Sequence, residues 1–270
     1  MILQYKNYLG LQGQSDNTIR VYISRIEYLL SKISVEQLST DNINNFLLEI
    51  KKEKSVSTLN GYLNAIKSFL QFLKKDISLP NNFKTDKKLS KYFTEEYLEK
   101  EIISTINSRG DDDILKLKAI IYFLFYSGIR IGEIDFIKRE NFTLEKNIVK
   151  IYVPKTKEER IAVYTDKAKE AMKLYFDSEV EITNAFNISA SGIQSKFRRL
   201  KEEFEDINFH PHLFRHSFAM YCLKIGMDIS EVSKLLGHHS LNTTMRYIGH
   251  DINQIQEKFL KKTNERITKC

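Results

Sequence analysis

A chain of 270 residues, 42% hydrophobic and 29% charged, has the composition of a globular protein with enough sequence for one large domain or two ordinary ones. That balance excludes an intrinsically disordered segment, and only 3 Pro and 10 Gly weigh against a turn-rich β-sandwich. The net charge of +7 allows a polyanionic partner without identifying one.

The positive surplus is unevenly placed. Residues 1–79 carry 10 Lys and Arg against 7 Asp and Glu, residues 80–92 carry 4 against 1, and residues 93–270 are nearly balanced at 28 against 27. The short basic segment, with Lys84, Lys87, Lys88 and Lys91, is therefore a candidate for contact with a nucleic-acid backbone. Two cysteines, Cys222 and Cys270, form neither a disulfide framework nor a metal-ligand pattern, and Cys222 lies in an apolar run that reads as core. The start MILQYKNYLG has no basic n-region or cleavage site, and the longest apolar run, Ala119–Tyr126, is far short of the ~20 residues of a membrane span. A soluble protein of the reducing cytoplasm, with no membrane partner, is expected.

The first third has a helical period. After a short helix at the very start, Ile19, Tyr22, Ile23, Ile26, Leu29, Leu30 and Ile33 recur at three- and four-residue steps behind Ser15 or Asp16 as N-cap. Thr40 or Asp41 is placed to cap a run with Ile43, Phe46, Leu47 and Ile50, and a further face holds Val56, Leu59, Leu63, Ile66, Phe69, Leu70 and Leu73. This predicts a bundle of about four helices over residues 1–79. At LPNNFKTDKK, Pro80, two Asn and several Lys break the pattern, as an exposed linker over residues 80–92 would. Residues 93–270 then form a second domain. Helices are predicted at Phe93–Asn107 and Asp112–Ser127, followed by alternating β-branched segments, NIVKIYV and RIAVY, around PKTKEE. That hairpin is the sheet of the protein. Helices resume at Asp166–Phe176 and Ala190–Phe204.

Four polar clusters interrupt apolar surroundings. In YSGIRIGEIDFI, Arg130 and Glu133 follow a Gly turn; they read as a local ion pair, or as an arginine aimed at a phosphate and braced by a carboxylate. In HPHLFRHSFAMYCL, Pro211 suits a first helical turn, and His212 and Arg215 share a face. His216 is four residues from His212, but the Glu of a zinc motif is missing, so no metal is expected and His216 reads as a packing residue. In KLLGHHSLNTTMRYIGH a helix ends at Gly237. His238 then reads as a capping residue or a donor, and Tyr247 is one of 14 tyrosines. In PKTKEER, Lys155, Lys157 and Arg160 read as a solvated turn, or as a flexible tip that delivers one lysine to a site.

Together these segments resemble the tyrosine recombinase (phage integrase) family, in particular its short Xer-like members. GIRIGEI is similar to the family's first arginine box, HLFR to its His-x-x-Arg box and LLGH to its Leu-Gly-His box, with Tyr247 nine residues after His238 and preceded by SLNTT. The resemblance implies a mainly α fold: an N-terminal helical DNA-binding bundle, a basic linker, and a mostly helical catalytic domain with a small antiparallel β-sheet. It implies a site-specific recombinase that cleaves and rejoins double-stranded DNA through a covalent 3′-phosphotyrosine, without metal, ATP or other cofactor. The implied catalytic set is Arg130, Lys155, His212, Arg215, His238 and Tyr247, supported by Glu133. Lys155 directly follows the strand and precedes Thr156, with Lys157 as the alternative, and His250 takes no role. The amphipathic run after Tyr247, with Ile252, Ile255, Phe259 and Leu260, implies a helix passed between subunits of a homotetramer. A DNA-binding regulator without catalysis and a type IB topoisomerase are the competing functions.

Overall fold

The computed structural model describes residues 1–84, 91–109, 113–153, 158–178, 184–204, 207 and 209–237. The chain divides into two compact units, Met1–Lys88 and Leu89–Cys270. Among the described residues no helix is long and apolar enough to cross a membrane.

The first unit is a four-helix arrangement: α1 (Ile2–Leu11), α2 (Asp16–Leu30), α3 (Thr40–Glu53) and α4 (Val56–Phe72). Each of the last three starts behind a serine whose hydroxyl accepts an otherwise unpaired N–H: Ser15 from Thr18, Ser39 from Asn42 and Ser55 from Thr58. Ser39 therefore replaces the expected Thr40 or Asp41 as the cap of α3; the Thr40 hydroxyl instead donates to the Ser78 carbonyl at 3.3 Å. The predicted stripes fill the core, with Ile26, Leu29, Ile43, Phe46, Leu59, Leu63, Ile66 and Phe69 buried. Tyr5 of α1 sits among Phe69 and Phe72, and burial pushes its phenol pKa up to about 12. After α4 the chain is held by Asn60, whose amide donates to the Phe83 carbonyl at 2.9 Å and accepts from the Phe83 N–H at 2.8 Å.

Near the start of the second unit Phe93 is buried, and its N–H donates to the Ser217 hydroxyl at 3.0 Å. A helical stretch follows as α5 (Glu95–Tyr97), a π-helical segment (Leu98–Ile103) and α6 (Ser104–Ser108). Next comes α7 (Ile114–Ser127), which is apolar on nearly every side and runs through the centre of the core. The sheet has the order β1-β2-β3, antiparallel throughout: β1 (Phe142–Thr143), β2 (Ile148–Val153) and β3 (Glu158–Val163). The hairpin is as predicted, and the two-residue β1 is an addition too short to show a period. In the β2–β3 register Val149 faces Ala162 and Ile151 faces Arg160. Val149, Ile151 and Ala162 are buried, so the sheet packs that face inward and carries Arg160 with it. The helices α8 (Asp166–Ser178), α9 (Ala190–Leu200), α10 (Pro211–Lys224) and α11 (Ile229–Leu236) complete the described fold.

Candidate active site

The site grows from the end of α7. Gly128 closes that helix in the left-handed conformation at φ 60°, its N–H donating to Leu124 O at 3.2 Å. Arg130 follows in extended backbone and starts a 3-10 turn over Ile131–Phe136. Its N–H donates to Glu133 Oε2 at 2.8 Å and its Nη1 to Glu133 Oε1 at 3.3 Å. Glu133 is 5% exposed while the Arg130 side chain is 45% exposed, so the carboxylate is the buried anchor and the guanidinium reaches outward. The expected local ion pair between Arg130 and Glu133 is present.

Arg215 enters from α10, which begins with Pro211 in its first turn and His210 as N-cap. At 2% exposure it is among the largest fully buried side chains, and a buried guanidinium must be hydrogen-bonded. Its Nη1 donates to Gly128 O at 2.6 Å and its Nη2 to Leu236 O at 2.7 Å. Arg130 Nη2 donates to the next carbonyl, Gly237 O, at 3.3 Å. Gly237 caps α11 at φ 62°, so these carbonyls form the negative end of that helix, where cations are favoured.

Arg160 is the residue that sequence reasoning missed. Its side chain is only 16% exposed, and it binds Glu133 with two prongs, Nη2 to Oε2 at 2.7 Å and Nε to Oε1 at 3.2 Å. Its Nη1 reaches Leu235 O at 3.5 Å. The reading of Arg160 as part of a solvated turn is therefore corrected: strand alternation in β3 puts it on the inner face with Ala162, and that spacing was the available signal. Burial alone raises the pKa of Glu133; the hydrogen bond and charge of Arg160, then the N–H and charge of Arg130, outweigh it and hold the group below its ordinary range.

His212 lies one turn before Arg215 on α10 and is exposed. Its pKa is lowered, first by partial desolvation of the ring and then by the charges of Arg215, His210 and Arg130. The imidazole therefore favours its neutral form. His216 is buried and meets the Tyr92 ring edge-on at 6.0 Å, as expected of a packing residue. Cys222 is buried too, its thiol pushed up to about 12. Among the described residues there is no cluster of His, Cys, Asp and Glu fit to hold a metal ion.

The structure thus brings Arg130, Glu133, His212 and Arg215 together. Lys155, Lys157, His238, Tyr247 and the run from Ile252 to Leu260 lie outside the described residues, as do Lys87 and Lys88. Lys84 and Lys91 are exposed.

The family model for the phage integrase family matches residues 91–254, and that for the phage integrase N-terminal SAM-like domain matches residues 2–76. The chain belongs to the phage integrase family. It is a site-specific DNA recombinase of the tyrosine class, an enzyme that breaks and rejoins DNA strands. Among curated relatives, the tyrosine recombinase XerA of Pyrococcus furiosus is 30% identical, covering 97% of this chain and 92% of its own. XerA of Saccharolobus solfataricus is 26% identical over 94% and 90%. Among solved structures, the Tn1549 transposon integrase superposes with a TM-score of 0.75 at 16% identity, over 97% of this chain and 99% of that one. The XerH recombinase gives 0.71 at 20% identity, over 89% and 78%. These likenesses show that the recombinase fold extends over both units. The mainly α architecture with its small antiparallel sheet is the one the sequence predicted.

Proposed function

We propose that this recombinase cuts double-stranded DNA with Tyr247 and stabilises the attacked phosphate with Arg130, Arg215 and His238. The observation that carries the reading is the meeting of two guanidinium groups, from different elements, on consecutive carbonyls immediately before His238: Arg215 on Leu236 O and Arg130 on Gly237 O. A phosphodiester repels an incoming nucleophile and gathers further negative charge as it is attacked; two fixed guanidinium groups offset both effects.

The phenol of Tyr247 must lose its proton as its oxygen bonds to phosphorus, because a neutral phenol with a pKa near ~10 is a poor nucleophile. His212 accepts that proton. Its depressed pKa supports this role, since it keeps the imidazole unprotonated near neutrality. The bond to the 5′-oxygen breaks, and Lys155 protonates the departing oxygen. Rejoining reverses each transfer: a 5′-hydroxyl attacks the phosphotyrosine and Tyr247 leaves as the phenol. Because the ester conserves the energy of the broken bond, no ATP is consumed. Glu133 holds Arg130 in place without reacting.

In this reading residues 1–79 form a DNA-binding bundle, residues 80–92 a linker whose Lys84, Lys87, Lys88 and Lys91 contact the DNA backbone, and residues 93–270 the catalytic domain. Solved neighbours in complex with DNA, including the Tn1549 integrase with transposon right end DNA and XerH with its difH substrate, support double-stranded DNA as the partner. The run from Ile252 to Leu260 completes a homotetramer by docking on a neighbouring subunit. Truncation after His250 then abolishes pairing of two sites and leaves single-site binding intact; undiminished tetramer formation refutes this part.

The test of the chemistry is incubation with a nicked suicide substrate carrying a cognate site. A covalent protein–DNA adduct is expected from the wild type and none from Tyr247→Phe. An adduct that persists in Tyr247→Phe overturns the assignment.

A further inference from the structure

We infer that Arg160 is a positioning residue of the recombination site, a third arginine that sets Arg130 by holding Glu133 and the end of α11. The inference rests on the proposed role of Arg130. Three consecutive carbonyls, Leu235, Leu236 and Gly237, each accept from a different arginine: Arg160 at 3.5 Å, Arg215 at 2.7 Å and Arg130 at 3.3 Å. Of the three, Arg160 alone grips both oxygens of Glu133 with its guanidinium, whereas Arg130 reaches them with its backbone N–H and one Nη. Its aliphatic arm runs beneath Gly237, where a Cβ would lie 3.0 Å from its Cδ and 3.2 Å from its Nε. The side chain therefore ties β3, the Arg130 turn and the residue before His238 into one block.

Glu133 faces two arginines, and the division between them matters. With Arg160 in place, each oxygen of the carboxylate accepts from its guanidinium, Oε2 also accepts from the Arg130 N–H at 2.8 Å, and Arg130 Nη1 makes only a 3.3 Å contact. Without Arg160 the buried carboxylate draws the Arg130 guanidinium inward, away from a phosphate. Lysine is not a substitute, because a point charge on a flexible stem does not span two carboxylate oxygens and a carbonyl at once.

The experiment uses the full chain with Arg160→Lys, Glu133→Gln, the two combined, and Arg130→Ala. It measures the single-turnover rate of adduct formation on a nicked suicide substrate, the Kd for one site, and the melting temperature. Arg160→Lys is expected to keep its DNA affinity and lose cleavage roughly 10- to 100-fold, the scale of a misplaced catalytic group. In the Glu133→Gln background the same substitution is expected to cost far less, since the charge it controls is gone. A merely structural ion pair would couple the two positions in the melting temperature, so cleavage is measured at a temperature where every variant is folded, and coupling that persists in the rate there is the mark of positioning. Wild-type cleavage by Arg160→Lys, or an equal loss in both backgrounds, overturns the inference. Cleavage abolished in Arg130→Ala but normal in Arg160→Lys leaves the active-site reading standing and removes only the positioning role. Normal cleavage in Arg130→Ala removes both.

Discussion

Replacing Gly128 with alanine tests the link between the end of α7 and the arginine cluster. The residue has φ 60°, where an L side chain costs roughly 1–2 kcal/mol. A Cβ there would intrude on the Phe218 ring edge and come within 2.9 Å of Leu236 Cδ2, and overpacking of this kind costs about 1–3 kcal/mol. The loss is therefore about 2–5 kcal/mol, which at roughly 2–4 °C per kcal/mol lowers the melting temperature by about 4–20 °C for a unit of this size. The displaced carbonyl also disturbs the 2.6 Å bond from Arg215, so adduct formation should fall even at temperatures where the variant is fully folded. Gly132→Ala is the control: nothing lies within 4 Å of its Cβ and its φ is not positive, so a change within about 0.5 kcal/mol is expected. A Gly128→Ala melt within about 1 °C of wild type, or equal losses in both variants, would refute the reasoning.

Three further outcomes follow from the same geometry. Glu133 has a pKa below its ordinary 4.5 in the folded chain, so the stability it contributes is present above about 4.5 and is lost as pH falls through its folded value. The stability gap between wild type and Glu133→Gln, measured by denaturant titration, should narrow on acidification; a constant gap from neutrality to pH ~3 contradicts the ion-pair account. His212 should titrate by NMR with a midpoint below 6.5, its ordinary value, and a midpoint at or above it removes the support for a neutral acceptor. Asn60→Ala removes both bonds to Phe83, so protection of the Phe83 amide against hydrogen exchange should drop, with about 1–3 kcal/mol lost from the first unit; unchanged protection counts against the clasp.

Periodicity made the helices legible. The stripes of α2, α3 and α4 became the core of the first unit, and the β-branched alternation located the hairpin. What escaped notice depended on competition between neighbours of similar chemistry. Ser39, Thr40 and Asp41 all cap well, and only the position at which the backbone turns helical chooses among them. Arg160 was hidden by its surroundings, because PKTKEER has the charge density of a solvated turn. Its inward face follows from counting two residues back from the buried Ala162, and its meaning from Glu133, 27 residues upstream. Arg130, Glu133, His212 and Arg215 were named from motif likeness. The structure adds what the letters do not contain: Arg215 and Glu133 are buried, Arg130 reaches outward, and helix-end carbonyls gather the cations.

Because the arginines bind the main chain of α11, the cluster is indifferent to the side chains on the exposed face of that helix, and only Gly237 at its end is held to glycine by the Arg160 arm and its positive φ. Exposed positions such as Ser230 can therefore change freely as far as this grip is concerned. Length is another matter: one residue added within the helix turns every later carbonyl by roughly 100° about the axis and breaks all three contacts together. The segment before His238 should accordingly drift in sequence while keeping a fixed count of residues between Asp228 and Gly237, the two ends that cap it.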